Sequence, residues 1–129
     1  MASKFIALPK SVSEKSFAAA IAEFRRIVGQ DSVLVTAEQL APYIKTMMPV
    51  PDADHTPSAA LLATTVEQIQ KIVGICNTYK VPIWMISTGR NFGYGSAAPA
   101  ERGQVVLDLK RMNRILEVAR THYDYVVID

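Results

Sequence analysis

The sequence predicts an α+β fold with an α/β-like centre, a parallel β-α-β unit, and a β-rich C-terminal part. The centre is predicted because two apolar runs, "SAALLAT" (58–64) and "VPIWMIS" (81–87), flank a segment with helical periodicity. Strands that are joined through a helix in this way run parallel, with a right-handed crossover. The C-terminal part is predicted because "QVVLDL", "ILEVA" and "YDYVVID" are apolar, β-branched and closely spaced.

A first helix is predicted between Ser11 and Gly29. Ser11 and Glu14 have the spacing of a capping box, which places the start of the helix there. A set of apolar side chains repeats at helical spacing and is expected to pack on the sheet: Phe17, Ile21, Phe24 and Val28. Gly29 is suited to ending the helix, and "SVLVT" (32–36) is predicted to follow as a short strand.

A second helix is predicted from Thr64 to about Lys80, inside the β-α-β unit. Thr64 and Glu67 repeat the capping-box spacing. The apolar stripe of this helix consists of Val66, Ile69, Ile72, Val73 and Cys76. Cys76 is interpreted as a small buried hydrophobic residue rather than a reactive thiol, because the sequence places no histidine or cation beside it.

Composition and charge narrow the class of protein. A chain of 129 residues that is 50% hydrophobic and 20% charged is typical of one globular domain. The net charge of +2 is too small to select nucleic acid or an anionic membrane. A single cysteine excludes an intrachain disulfide and favours a reducing compartment. Because the chain lacks a secretory signal pattern and a run of about 20 apolar residues, we expect a soluble, cytoplasmic protein.

The segment "STGRNFGYGSAAP" (87–99) is the strongest candidate for a binding site. It follows a predicted parallel strand at its carboxyl end, where open α/β sheets bind ligands. Gly89, Gly93 and Gly95 can adopt positive φ, and successive backbone N–H groups in such a turn form a concavity suited to a diphosphate. The glycine spacing matches neither G-x-G-x-x-G nor a P-loop. A glycine-rich turn that only joins two strands stays open as the alternative.

Residues 55–118 carry a series of motifs in a fixed order. These are "P-S-A", "T-V-E-Q-I-Q-K-I-V", "P-I-W-x-I-S-x-G-R-N-x-G-Y-G" and "V-V-L-D-L-x-R-M-N-R-I-L-E-V". In order and spacing this region resembles the FAD-binding domain of the FAD-linked oxidases, in the vanillyl-alcohol oxidase and p-cresol methylhydroxylase branch. The resemblance covers about half of the chain.

The resemblance implies that the glycine segment wraps the FAD diphosphate through backbone N–H groups. The residues to which it assigns this role are Ser87, Thr88, Gly89, Arg90, Asn91, Gly93, Tyr94 and Gly95. It also makes Tyr94 the candidate catalytic residue, near the active-site cavity, against a packing role with its hydroxyl on backbone. Relatives that attach FAD through a histidine of this loop carry it where this chain has Arg90, so FAD bound to this chain alone is expected to be noncovalent, and a covalent anchor in a later part of the protein stays open.

The implied protein is a flavoprotein oxidoreductase of aromatic compound catabolism. Residues 1–129 would be the N-terminal portion of its FAD-binding domain, with 55–118 as the family-like core and the substrate domain absent. The implied reaction is hydride transfer from the carbon para to a phenol hydroxyl onto flavin N5, giving a quinone methide that water attacks. The expected partners are FAD and a small phenolic substrate, without nucleic acid or membrane, and a homo-oligomer is allowed.

Two alternatives of other classes stay open. The chain stops within the strand pattern "VVID", so one alternative is a truncated, non-catalytic fragment that acts as a binding or assembly module. The other is a nicotinamide-binding domain, which the glycine spacing disfavours. The residues do not identify the phenol or the electron acceptor, which is dioxygen or a cytochrome in this family.

The remaining polar and aromatic residues receive structural interpretations. Asp108 is expected to bond neighbouring backbone, and Trp84 to belong to the core. Tyr43 lies in a stretch similar to one where relatives carry a phenol-facing tyrosine, which makes it a weak site candidate. Surface or loop positions, without a metal or nucleic-acid role, are expected for His55, His122, Lys110, Arg111 and Arg114.

Overall fold

The computed structural model describes residues 4–46, 49–89, 96–119 and 125–128. The α-helices in these ranges are α1 (Glu14–Val28), α2 (Ala37–Leu40) and α3 (Val66–Tyr79). The strands are β1 (Val33–Leu34), β2 (Ala59–Leu62), β3 (Ile83–Ile86), β4 (Val105–Asp108), β5 (Ile115–Ala119) and β6 (Tyr125–Ile128). Short 3-10 turns span Gln30–Ser32, Ala41–Tyr43 and Asp52–His55. No helix within the described ranges is long and apolar enough to cross a membrane.

The main sheet has four strands in the order β1-β2-β4-β3. β2, β4 and β3 run parallel, and β1 pairs antiparallel with β2. The predicted parallel β2-α3-β3 unit and the α+β fold are confirmed, but β4 lies between the two strands of that unit. Every residue of β4 is buried, as expected for a central strand covered on both faces, whereas Met85 on the edge strand β3 is 64% exposed.

The helices α1 and α3 cover one face of the main sheet, called the helix face below. Its core is built from large side chains that are almost fully buried, among them Phe17, Phe24, Leu61, Ile72, Val105 and Leu107. The predicted apolar face of α1 is confirmed, because three of its four residues are buried and Val28 packs against the same core. Gly29 ends α1 as predicted, with φ +90°.

The predicted helix caps are wrong by one or two residues. The N-cap of α1 is Ser13, whose Oγ accepts from the Ser16 backbone N–H at 3.2 Å, and Ser11 instead takes a left-handed φ of 64°. The N-cap of α3 is Thr65, whose Oγ1 accepts from the Gln68 N–H at 3.2 Å. In each case two hydroxyl residues stand close together, and spacing alone does not decide between them.

The apolar stripe of α3 is confirmed only in part. Ile72 and Cys76 are buried, and so is Ile75, which the prediction omitted. Val66 and Val73 are 54% and 41% exposed, because they lie outside the surface that packs on α1 and the sheet. Burial raises the pKa of the Cys76 thiol to about 11, which confirms its interpretation as a buried hydrophobic residue.

The predicted strand 32–36 is shorter in the structure. Only Val33 and Leu34 form β1, because Ser32 belongs to a 3-10 turn and Thr36 caps α2. The Thr36 hydroxyl accepts from the Gln39 backbone N–H, and the Gln39 side chain accepts from the Thr36 N–H, which completes a capping box. This brings the turn Ala41–Tyr43 over the other face of the sheet.

Strands β5 and β6 form a separate antiparallel hairpin, which confirms the predicted β-rich C-terminal part. Its apolar side chains are exposed on both faces of the hairpin: Ile115, Leu116, Val118, Tyr125, Val126, Val127 and Ile128. β4, which the sequence pattern places with these strands, belongs to the main sheet instead. Of the three strands predicted for the C-terminal part, β4 is therefore a buried strand of the main sheet, and β5 and β6 form the exposed hairpin.

Candidate cofactor-binding site

The carboxyl ends of three parallel strands meet at one edge of the main sheet. Leu62, the last residue of β2, is in register with Asp108, the last residue of β4. Ile86, the last residue of β3, is in register with Asp108 from the other side. The glycine segment leaves β3 directly after Ile86, so it begins where α/β sheets bind ligands.

Gly89 and Ala97 form the neck of the glycine segment. Gly89 has φ +71°, a conformation that side chains rarely adopt. A Cβ at this position would lie 2.8 Å from the Cβ of Ala97 and 3.3 Å from its Cα. The segment therefore returns against its own beginning, and only a hydrogen fits between the two arms at this point.

The structure describes the first three of the predicted cofactor-binding residues. Ser87 and Thr88 are exposed at the strand end, and Gly89 is partly buried at the neck. The other predicted residues lie outside the described residues, and their role stays a prediction: Arg90, Asn91, Gly93, Tyr94 and Gly95. Exposed backbone next to a left-handed glycine at the ends of parallel strands fits a diphosphate, so the described part of the site is compatible with FAD.

A buried carboxylate lies at the same edge of the sheet. Asp108 is 2% exposed, and its Oδ2 accepts a hydrogen bond from the Tyr43 hydroxyl at 2.6 Å. The Lys110 ammonium lies 3.1 Å from the same oxygen, and the Lys110 backbone N–H donates to Oδ1 at 2.9 Å. The predicted bond from neighbouring backbone to Asp108 is confirmed. The two side-chain partners were missed, because nothing in the sequence links Tyr43 to a residue 65 positions away.

Tyr43 is buried rather than open to a ligand. It is 3% exposed, and its hydroxyl is bonded to Asp108 and accepts from Lys110 Nζ at 3.2 Å. Burial raises the pKa of Tyr43, and the hydrogen bond to Asp108 raises it further. A protonated, fully bonded hydroxyl of this kind holds structure together, so the weak suggestion of a phenol-facing tyrosine receives no support at this position.

The cationic residues after β4 are exposed, as predicted, and two of them also bond to other parts of the chain. Burial acts to lower the pKa of Lys110, but its hydrogen bonds to Tyr43 and Asp108 outweigh that effect and raise the pKa. Its ammonium also lies 5.6 Å from the centre of the Tyr43 ring. Arg111 Nη1 donates to the Ser32 hydroxyl at 2.8 Å. Both cations therefore connect the end of β4 to other parts of the chain.

The remaining predicted residues have structural roles or lie outside the described residues. His55 Nδ1 is 2.8 Å from the Pro99 carbonyl oxygen in a partly buried loop, and His122 is outside the described residues. Trp84 packs against the cluster around Tyr43, as expected for a core residue. Within the described ranges, no group of three or more His, Cys, Asp or Glu residues could hold a metal ion.

Comparison with known proteins gives a consistent set of matches. The family model described as "FAD binding domain" matches residues 57–128. The flavoprotein subunit of 4-cresol dehydrogenase [hydroxylating] from Pseudomonas putida is 61% identical over 111 residues, which are 86% of this chain and 21% of that protein. The chain thus spans about a fifth of the length of this curated relative.

Solved structures show the same likeness. The crystal structure of p-cresol methylhydroxylase with substrate bound has a TM-score of 0.85 and 60% identity, over 88% of this chain and 22% of that one. The 4-ethylphenol oxidase from Gulosibacter chungangensis, in its isoeugenol complex, has a TM-score of 0.81 and 38% identity, over 87% and 22% of the two chains. The described fold is therefore the one found in these structures.

Proposed function

Because the chain belongs to the FAD-binding-domain family of the FAD-linked oxidases, in the vanillyl-alcohol oxidase and p-cresol methylhydroxylase branch, we propose that it is the FAD-binding part of an oxidoreductase for 4-alkylphenols. The relatives named for 4-cresol, p-cresol and 4-ethylphenol support this substrate class. The observation that carries the proposal is the neck of the glycine segment, which lies at the carboxyl ends of the parallel strands.

The cofactor of this family is FAD, and the described residues fit it. When bound, FAD supplies the group that accepts a hydride from the substrate. The backbone N–H groups from Ser87 onward would hold its diphosphate, and Gly89 lets the chain return without a side chain between the two arms. The hydroxyls of Ser87 and Thr88 are exposed and can donate to the same oxygens.

Further parts of the proposal rest on the sequence. Tyr94 is proposed to contact the phenolic substrate, and Arg90 is proposed to stand where other relatives carry a flavin-linked histidine, so that residues 1–129 form no covalent bond to FAD. We propose cytoplasmic location and the capacity to form a homo-oligomer as well. The activity is proposed for a protein that contains this domain, and the 129 residues are proposed to supply the N-terminal portion of its cofactor-binding part.

Titration of the purified chain with FAD tests the proposal. Binding is expected to give a micromolar dissociation constant, read from flavin fluorescence and from quenching of Trp84, which is the chain's single tryptophan. NADH serves as the control ligand and is expected not to bind. A chain that is folded by circular dichroism but does not bind FAD would contradict the proposal and favour the assembly-module alternative.

A further inference from the structure

We propose that Tyr43, Asp108 and Lys110 form a positioning unit that sets the neck of the glycine segment and thereby the affinity for the cofactor. The effect on cofactor affinity rests on the proposed function, because it takes FAD as the ligand. Its structural part concerns only the neck, which consists of Gly89 and Ala97. None of the three residues is proposed to touch the cofactor.

Asp108 is connected to the start of the glycine segment through the backbone pairing of β4 with β3. Asp108 stands opposite Ile86, and the Leu109 backbone N–H donates to the Ile86 carbonyl oxygen at 3.0 Å. The glycine segment begins with the next residue, Ser87. A displacement of Asp108 in the sheet therefore moves the point from which the segment starts.

The second link runs through the hydrophobic cluster on this face of the sheet. Tyr43 and Ile86 are buried members of one cluster, and Ala97 packs against it. Ala97 is also the residue that a Cβ on Gly89 would meet first. The Tyr43 ring is therefore packed in one cluster with a residue from each arm of the neck, Ile86 and Ala97. The hydrogen bond to Asp108 holds the ring in its place in this cluster.

The three side chains together carry no net charge. An effect of the unit on FAD affinity through positioning can therefore be tested separately from an effect through electrostatic attraction. Asp108 carries one negative charge, Lys110 carries one positive charge, and the raised pKa of Tyr43 keeps its hydroxyl neutral. Tyr43→Phe removes the 2.6 Å hydrogen bond without changing the net charge. Asp108→Asn removes a negative charge and would strengthen the binding of an anion if charge alone mattered.

The chain offers a matched control for Tyr43→Phe. Tyr79 on α3 donates its hydroxyl to Glu23 Oε1 on α1, also at 2.6 Å, on the helix face of the sheet. Tyr79→Phe therefore removes a tyrosine–carboxylate bond of equal length at a place remote from the neck. A general effect of losing such a bond would appear in both variants.

The experiment measures FAD affinity and, without FAD, amide hydrogen exchange in the full 129-residue chain and its variants. Tyr43→Phe is expected to weaken FAD binding about tenfold, and to speed exchange at Leu109 and Ala98, the amides that report on the two arms. Tyr79→Phe is expected to change FAD affinity by less than about twofold and to speed exchange in α3 instead. Asp108→Asn is expected to weaken FAD binding, although it removes a negative charge.

The outcomes separate the two proposals. Equal FAD affinity in wild type and Tyr43→Phe, or tighter binding by Asp108→Asn, would overturn the positioning role while the proposed function stands. No FAD binding by the folded wild type, together with faster exchange at the neck in Tyr43→Phe, would overturn the proposed function and leave the positioning of the neck supported. Unchanged exchange at the neck in Tyr43→Phe would overturn the inference in either case.

Discussion

The two faces of the main sheet are built differently, although the same strands supply both. On the helix face, Leu107 of β4 lies among large apolar side chains from α1 and α3. On the other face, called the site face here, the next residue, Asp108, is bonded to Tyr43 and Lys110 beneath a short turn. Neighbouring residues of a strand point to opposite faces, so one step along β4 separates the hydrophobic core from the polar site.

This difference indicates that the two faces contribute to different properties of the protein. The helix face holds the large buried side chains that contribute most of the hydrophobic stability, at about 25 cal/mol per Å² of buried apolar surface. The site face holds a smaller apolar cluster, a turn and one buried carboxylate, which we expect to contribute less to stability and, by the proposal above, more to the position of the glycine segment. Substitutions on the helix face should therefore mainly change the free energy of unfolding, and substitutions on the site face should mainly change FAD affinity.

The largest effect is expected on the helix face. Phe24 is fully buried, and Phe24→Ala should lower the free energy of unfolding by about 3–5 kcal/mol, because it removes a large side chain and leaves a cavity. Urea unfolding measures this change. Met85→Ala, at a 64% exposed position on β3, is the control and should change stability by less than about 0.5 kcal/mol. A loss below about 1 kcal/mol for Phe24→Ala would contradict the assignment of the core to this face.

An intermediate effect on stability, with a large effect on binding, is expected at the neck. Gly89→Ala places a side chain in a left-handed conformation and against Ala97, so it should weaken FAD binding by more than about tenfold. The free energy of unfolding should fall by about 1–3 kcal/mol. Fluorescence titration and urea unfolding measure the two quantities.

The control for this substitution is Gly29→Ala. Gly29 also has a positive φ, +90°, but open space surrounds the position of its missing Cβ. The variant should therefore show backbone strain without a change in FAD affinity. If both glycine variants lose binding to the same extent, the neck has no special role.

The smallest effect is expected from alkaline pH on the helix face. The pKa of Cys76 is about 11 in the folded chain, against 9.0 for an ordinary thiol. Because the folded pKa is the higher one, the contribution of the protonated thiol to stability is complete below pH 9 and is lost as the pH rises through about 11. Unfolding in urea across this range should show a shallower loss for Cys76→Ala than for wild type.

A thiol reagent provides a second test of Cys76. At neutral pH the folded chain should react slowly, and the unfolded chain should react quickly, because the buried thiol is protonated and 6% exposed. Fast reaction of the folded protein would show that Cys76 is accessible and would remove it from the helix-face core.

The sequence predicts local features of this fold better than long-range ones. The apolar face of α1 and the strands β2 and β3 follow from spacing within a few residues, and they are confirmed. The position of β4 between β2 and β3 is a choice among pairings that local patterns leave equally open. The helix caps were misplaced because neighbouring hydroxyl residues compete for the same role, as Thr64 and Thr65 do at α3.

The candidate site likewise has a part that the sequence predicts and a part that it does not. The glycine segment is conspicuous in the sequence, because a cluster of glycines directly after an apolar run indicates a tight turn at the end of a strand. The contact of Gly89 with Ala97 and the bond of Tyr43 to Asp108 depend on how the chain returns in space. Asp108 itself carried one signal, since a carboxylate at the end of a buried strand needs a partner.

The closed neck also has a consequence for engineering. A Cβ on Gly89 would lie 2.8 Å from the Ala97 Cβ, so the chain leaves and rejoins the described fold at two points that lie close together. Loop segments of different length are generally tolerated between such points while the strands keep their pairing. We therefore expect that residues 90–96 can be exchanged for the corresponding segment of another member of this family without loss of the fold.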